Sequence, residues 1–155
     1  MHEASACTRS ALSFAALAAA VLALSAAGPV QAATPAYLTQ DHSNAQLIDK
    51  AALQAVWKAQ LPDATARRLA RLKPAAKWGF LTQVEGGFTA DKTCVVTARV
   101  MLLPRSGKSL LMKPDETATS FDAKAGATME QCKALAQDKL GEAVAAVLSS
   151  QVAAK

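Results

Sequence analysis

The chain is poor in the residues from which most active sites are built. It has two histidines and three cysteines in 155 residues. Past the N-terminal apolar stretch one histidine remains, His42, in a polar lead ahead of the first helical pattern. A Ser-His-Asp or Cys-His site would have to stand on that lead, a poor platform for positioned chemistry. Ser-x-x-Lys and Gly-x-Ser-x-Gly are both missing, and with them two common forms of serine chemistry. Walker loops, Gly-x-Gly-x-x-Gly and His-Glu-x-x-His are missing too, so no phosphate cradle, dinucleotide fingerprint or zinc-protease helix is expected. There is no Cys-x-x-Cys, and no Met-rich run accompanies Met101, Met112 and Met129. These methionines read as core filler rather than copper ligands, and no metal or other cofactor is expected.

Long apolar runs are also scarce. The one example, Ala11–Ala27, is short for a membrane span. Arg9 precedes it, Gly28-Pro29 breaks it, and Val30-Gln31-Ala32 puts small residues at a signal-peptidase site. Residues 1–32 therefore read as a cleaved secretory signal, which takes Cys7 with it. Residues 33–42 read as a flexible lead. Residues 43–155 form one domain of ordinary size. The expected compartment is the periplasm of a Gram-negative bacterium.

Two cysteines, Cys94 and Cys132, are left beyond the signal, and in an exported protein they should pair. Cys94 opens the run Thr93–Leu103, whose even positions Cys94, Val96, Ala98, Val100 and Leu102 are all apolar. Period-two alternation with Val enrichment predicts a core strand. Cys132 begins a second pattern with Leu135, Ala136, Leu140, Ala143, Val144, Val147 and Leu148 at three-and-four spacing, which predicts a helix to about Val152. Thr128 and Gln131 form a capping box ahead of it. Strand and helix can thus be joined through one core. Gly141 is expected to mark close approach of that helix to the sheet.

The remaining elements are read the same way. Ser43 with Gln46 suggests a capping box for a helix to about Gln60, with Ile48, Ala52, Val56 and Ala59 in one stripe beside Leu53 and Trp57. Pro62 ends it, and a shorter helix over about 64–72 should turn Leu69 and Leu72 inward. Trp78–Glu85 reads as the first strand. Pro104–Lys108 reads as a hairpin loop, and Ser109–Met112 opens a third strand with Leu102 opposite Leu110. Pro114 makes the phase beyond it ambiguous. The predicted fold is α+β, a two-layer domain of order α-α-β-β-β-α. A three-stranded antiparallel meander carries the long C-terminal helix on one face, with one or two helices before it. The predicted core is Leu53, Val56, Trp57, Phe80, Cys94, Val96, Val100, Leu102, Cys132, Leu135, Leu140, Val144 and Val147.

The formal net charge is +5, and removing Arg9 with Glu3 leaves it unchanged. The excess is concentrated. Lys58, Arg67, Arg68, Arg71, Lys73 and Lys77 face one acid, Asp63, in that span. This is the candidate anion-binding segment. An ordinary solvated helix face would look the same. Outside the cytoplasm its natural partners are anionic lipid or envelope polymer, not nucleic acid. The odd face of the core strand carries Val95, Met101 and Leu103 beside Thr93, Thr97 and Arg99. That is more apolar than a solvated face needs. Either the N-terminal helices cover it, or an envelope protein partner or a second copy does. The expected class is a small exported, non-enzymatic envelope protein that binds a macromolecular partner or an anionic surface. The rival is a small periplasmic hydrolase with an unrecognised site; Glu85 with Asp91, and Asp115 with Glu116, are the acid pairs a two-carboxylate site would draw on.

Overall fold

The computed structural model describes residues 36–153. The predicted signal 1–32 and its cleavage point after Ala32 lie outside those residues. The elements run β1 (Leu38–Asp41), α1 (Lys50–Gln60), α2 (Asp63–Leu72), β2 (Trp78–Phe88), β3 (Thr93–Ser106), β4 (Ser109–Leu110), β5 (Glu116–Ala125) and α3 (Met129–Ala153). The described residues form one five-stranded sheet with helices packed on it, a two-layer α+β domain.

β3 is the central strand. It pairs antiparallel with β2 from Phe88↔Cys94 to Trp78↔Pro104, and with β5 from Thr93↔Ala125 to Leu102↔Glu116. Its even positions Cys94, Val96, Ala98, Val100 and Leu102 are all 0% exposed. They face α3, whose Cys132, Ala136, Leu140, Val144 and Val147 complete the layer. Five strand positions and five helix positions meet because periods of two and 3.6 each turn one apolar stripe inward. The predicted core residues all lie in or against this cluster, with Val56 and Leu135 partly buried at its margin.

The sheet has more strands than the predicted meander. The lead expected to be irregular supplies β1, which pairs parallel to β2 with Leu38↔Gly79 and Asp41↔Thr82. His42 and Asn44 continue the ladder by donating their N–H groups to the Thr82 and Val84 carbonyls. Gly79 permits the approach: a Cβ there would lie 2.6 Å from the Leu38 carbonyl oxygen and 2.7 Å from Leu110 Cδ2. After β3 the chain turns tightly through Gly107, at φ +60°, so that Arg105 opposes Leu110 and Ser106 opposes Ser109. The expected pairing of Leu102 with Leu110 is therefore displaced, and β4 ends after two residues. Leu102 meets Glu116 instead, because Asp115 donates its N–H to the Leu102 carbonyl and starts β5 there.

The helix starts divide in the same way. Thr128 and Gln131 form the capping box of α3: Gln131 N–H reaches Thr128 Oγ1 at 3.3 Å, and Thr128 N–H reaches Gln131 Oε1 at 3.1 Å. Ser43 caps nothing. Its hydroxyl accepts from the Val84 N–H, and Gln46 N–H goes to Asn44 Oδ1. α1 begins later, where Asp49 accepts from the Ala52 N–H at 2.8 Å. Ile48, buried, thus precedes the helix; Leu53 and Trp57 are the buried residues of α1, Ala52 and Val56 are half-buried, and Ala59 is exposed. Gly141 meets Gln60, at the end of α1, rather than the sheet. In α2 the inward residues are Ala66 and Leu69, and Leu72 is 52% exposed. Met101 is buried as filler, whereas Met112 and Met129 are exposed.

Candidate functional site

Among the described residues the buried interior holds one polar side chain. Thr82 is fully buried on β2, and its hydroxyl accepts the Trp57 indole N–H at 3.1 Å. The indole packs on Phe80 with centroids 4.7 Å apart, and Tyr37 closes on the same ring at 5.3 Å. Burial raises the Tyr37 hydroxyl to about 12. That hydroxyl donates to the Lys73 carbonyl at 2.7 Å, tying the start of β1 to the end of α2. Cys94 and Cys132 sit in disulfide geometry with Cα atoms 5.7 Å apart, linking the start of β3 to the first turn of α3. A shallow cleft of about 350 Å³ opens between β1 and α1, lined by Thr39, Asp41, Lys50, Leu53, Gln54 and Trp57.

The helices lie on one side of the sheet. α1 and α2 pack against α3, not across the strands' other face. That outer face has two parts. Near the end of β3, Leu81, Met101 and Leu103 form a small second core closed by Leu110 of the β4 hairpin. Toward the start of β3 nothing in the described chain covers the strands. Thr97 opposes Phe121 of β5 and Val95 opposes Ala123, and Phe121 is 77% exposed and Val95 37%. Of the two covers weighed for this face, the N-terminal helices are the wrong one. The hairpin covers half of it instead, and the sequence carried no signal for a hairpin that curls over the sheet.

The structure divides the basic segment. Lys73 is drawn out of it: its ammonium bonds Asp115 Oδ2 at 2.6 Å and lies 4.1 Å over the Trp78 ring. Lys58 stands on α1, whereas Arg67, Arg68 and Arg71 are exposed on α2, and Lys77 is exposed in the turn before β2. A second basic pair flanks the segment that the sequence placed in a strand, Ser109–Met112. Lys108 and Lys113 are exposed on either side of Leu111 and Met112, themselves 49% and 71% exposed. Arg105 holds this loop to the turn after α2, with its N–H on the Lys77 carbonyl at 2.7 Å and Nη1 on the Ala75 carbonyl at 2.9 Å.

The acids of the hydrolase reading are dispersed. Glu85 and Asp91 lie on one half of the sheet, Asp115 and Glu116 at its other end. Hydrogen bonds from Thr89 and then Thr93 hold the Asp91 carboxyl below its usual range, and Asp115 is engaged by Lys73. On the α3 side, Lys139 first and Ser120 second lower Glu142, and Glu142 in turn raises Lys139. These contacts clip the helix to β5.

No protein-family model matches the chain, and no curated protein is detectably similar to it. Among solved structures it resembles the PelC dodecamer from Paraburkholderia phytofirmans at 11% identity and TM-score 0.37, over 70% of this chain and 83% of that one. A point variant of that dodecamer gives 11% and 0.39, over 74% and 90%. A candidate lipoprotein from Caulobacter crescentus CB15 gives 14% and 0.29, over 74% and 85%. Likenesses this loose carry neither fold nor function, and the reading of this chain rests on its own residues.

Proposed function

We propose that the chain is an exported, non-enzymatic protein of the Gram-negative cell envelope that binds a macromolecular partner through the open half of its outer sheet face. One observation carries the reading. The sheet is sealed by three helices on one side and by a hairpin over half of the other, yet Val95 and Phe121 stay open to solvent beside Thr97. A large aromatic left uncovered on a rigid sheet is how a docking surface is built. The disulfide geometry of Cys94 with Cys132 supports an oxidising compartment, and the export signal read from residues 1–32 agrees with it.

The test places a photo-crosslinking amino acid at position 121 or 95 of the exported protein in intact cells. Irradiation should give one discrete adduct from both positions and none from the exposed Gln137 of α3. An adduct of twice the chain mass identifies a second copy as the partner, and a different discrete mass identifies another envelope protein. No adduct from either position overturns the reading.

A further inference from the structure

We infer that the end of the domain formed by the β4 hairpin, the β4–β5 connection and the end of α2 rests on an anionic lipid bilayer, with Leu111 and Met112 of that connection entering the headgroup boundary. Four observations meet there. First, the largest exposed aliphatic side chains gather at this end: Leu111 at 49%, Met112 at 71%, and Leu72 at 52%. Second, the first charged residue on either side of the apolar pair is a lysine, with Asp115 and Glu116 following after Pro114. From Lys92 to Lys113 the sequence has no acid at all, and Lys108 and Lys113 bracket the apolar pair. Third, the nearest acid is already engaged. Asp115 takes the Lys73 ammonium at 2.6 Å, and that bond links the residue that follows Arg71 and Leu72 at the end of α2 to the β4–β5 connection. Fourth, the segment is held to the body: Arg105 bonds the Ala75 and Lys77 carbonyls, and the Leu111 N–H donates to the Pro104 carbonyl at 2.8 Å, so Leu111 and Met112 are exposed on an anchored backbone.

Apolar side chains ringed by lysine and arginine suit a membrane interface better than a protein groove or a soluble polymer. The aliphatic groups enter the acyl boundary while the cations meet lipid phosphates. A purely polyanionic ligand would use the cations and leave Leu111 and Met112 in water, an arrangement with no reason to expose them. The surface is separate from the open sheet face, and the inference does not rest on that reading.

The test is co-sedimentation of the exported protein with vesicles. Vesicles of phosphatidylglycerol with phosphatidylethanolamine should bind it at low salt, and phosphatidylcholine vesicles should not. The double change Leu111→Ser with Met112→Ser should lower the bound fraction at least five-fold at every salt concentration. The double change Lys108→Gln with Lys113→Gln should lower it mainly at low salt, where exposed charges are least screened. Circular dichroism of each variant establishes that the fold is kept. Phe121→Lys should leave vesicle binding unchanged, which separates this surface from the sheet face. Absence of binding by the wild type at low salt overturns the inference, as does full binding by the folded Leu111→Ser, Met112→Ser protein. Binding to isolated lipopolysaccharide polymer without binding to bilayers also overturns it.

Discussion

The two sides of β3 differ more than any other two regions of the molecule. On the helix side five consecutive even positions are sealed completely. On the other side burial stops partway: Leu103 is 0% exposed and Met101 9%, whereas from Arg99 back to Thr93 no position of this face is buried and Val95 is 37% exposed. Val95 is as apolar as the sealed Val96 and Val100, so its exposure belongs to what lies above it. A long helix covers a sheet evenly, because one apolar stripe runs its whole length. A two-residue hairpin covers only what its single leucine, Leu110, can reach. The fold is secured by the first arrangement and leaves a usable surface through the second.

Three substitutions test that contrast, from the largest expected effect to the smallest. Cys132→Ser removes the covalent link on the helix side. The chain-entropy model gives about 4 kcal/mol for the 38-residue separation, and a loss of about 2–5 kcal/mol is expected in denaturant unfolding, with the native circular dichroism spectrum retained. A loss below about 1 kcal/mol would mean that packing alone fixes β3 to α3. Thr82→Val keeps the shape but strips the acceptor from the buried Trp57 N–H, and stability should fall by about 1–3 kcal/mol. An unchanged midpoint would mean that the indole finds another partner and that the polar contact adds nothing to the inner face. Phe121→Thr, on the outer face, should change stability by less than about 0.5 kcal/mol while abolishing the cross-linked adduct expected from position 95. A clear loss of stability would make Phe121 a structural residue and remove the contrast between the faces.

How much of this was legible in the sequence depended on how much each segment's pattern relied on distant contacts. The central strand and α3 were readable because their periodicity is long and apolar, and the sealed residues are those the alternation picks out. β1 was not. Leu38–Asp41 is four residues with three polar side chains among them, and it becomes a strand because Gly79 lets Leu38 come close. The phase after Pro104 failed because a two-residue turn replaced the longer loop that Pro104–Lys108 suggested. That error hid the exposed Leu111 and Met112 inside an imagined strand. The basic segment was visible as charge, but its division was not. Lys73 finds Asp115 across 42 positions of sequence, a contact no local pattern encodes. Leu72 kept the three-residue spacing of an inward side chain and still points outward, because α2 ends there and the chain turns away toward Pro74.

The placing of the two tryptophans gives the protein a built-in pair of optical reporters. Trp57 is enclosed by Phe80 with its N–H bonded to Thr82, so its emission follows the interior and shifts when the domain opens. Trp78 is half-exposed beneath the Lys73 ammonium at the foot of the α2 terminus, so its emission follows what happens at that end. A Trp78→Phe protein fluoresces from the interior alone, and a Trp57→Phe protein from the basic end alone. Lipid contact and unfolding, inseparable in the native emission band, thereby become two independent colours of one titration.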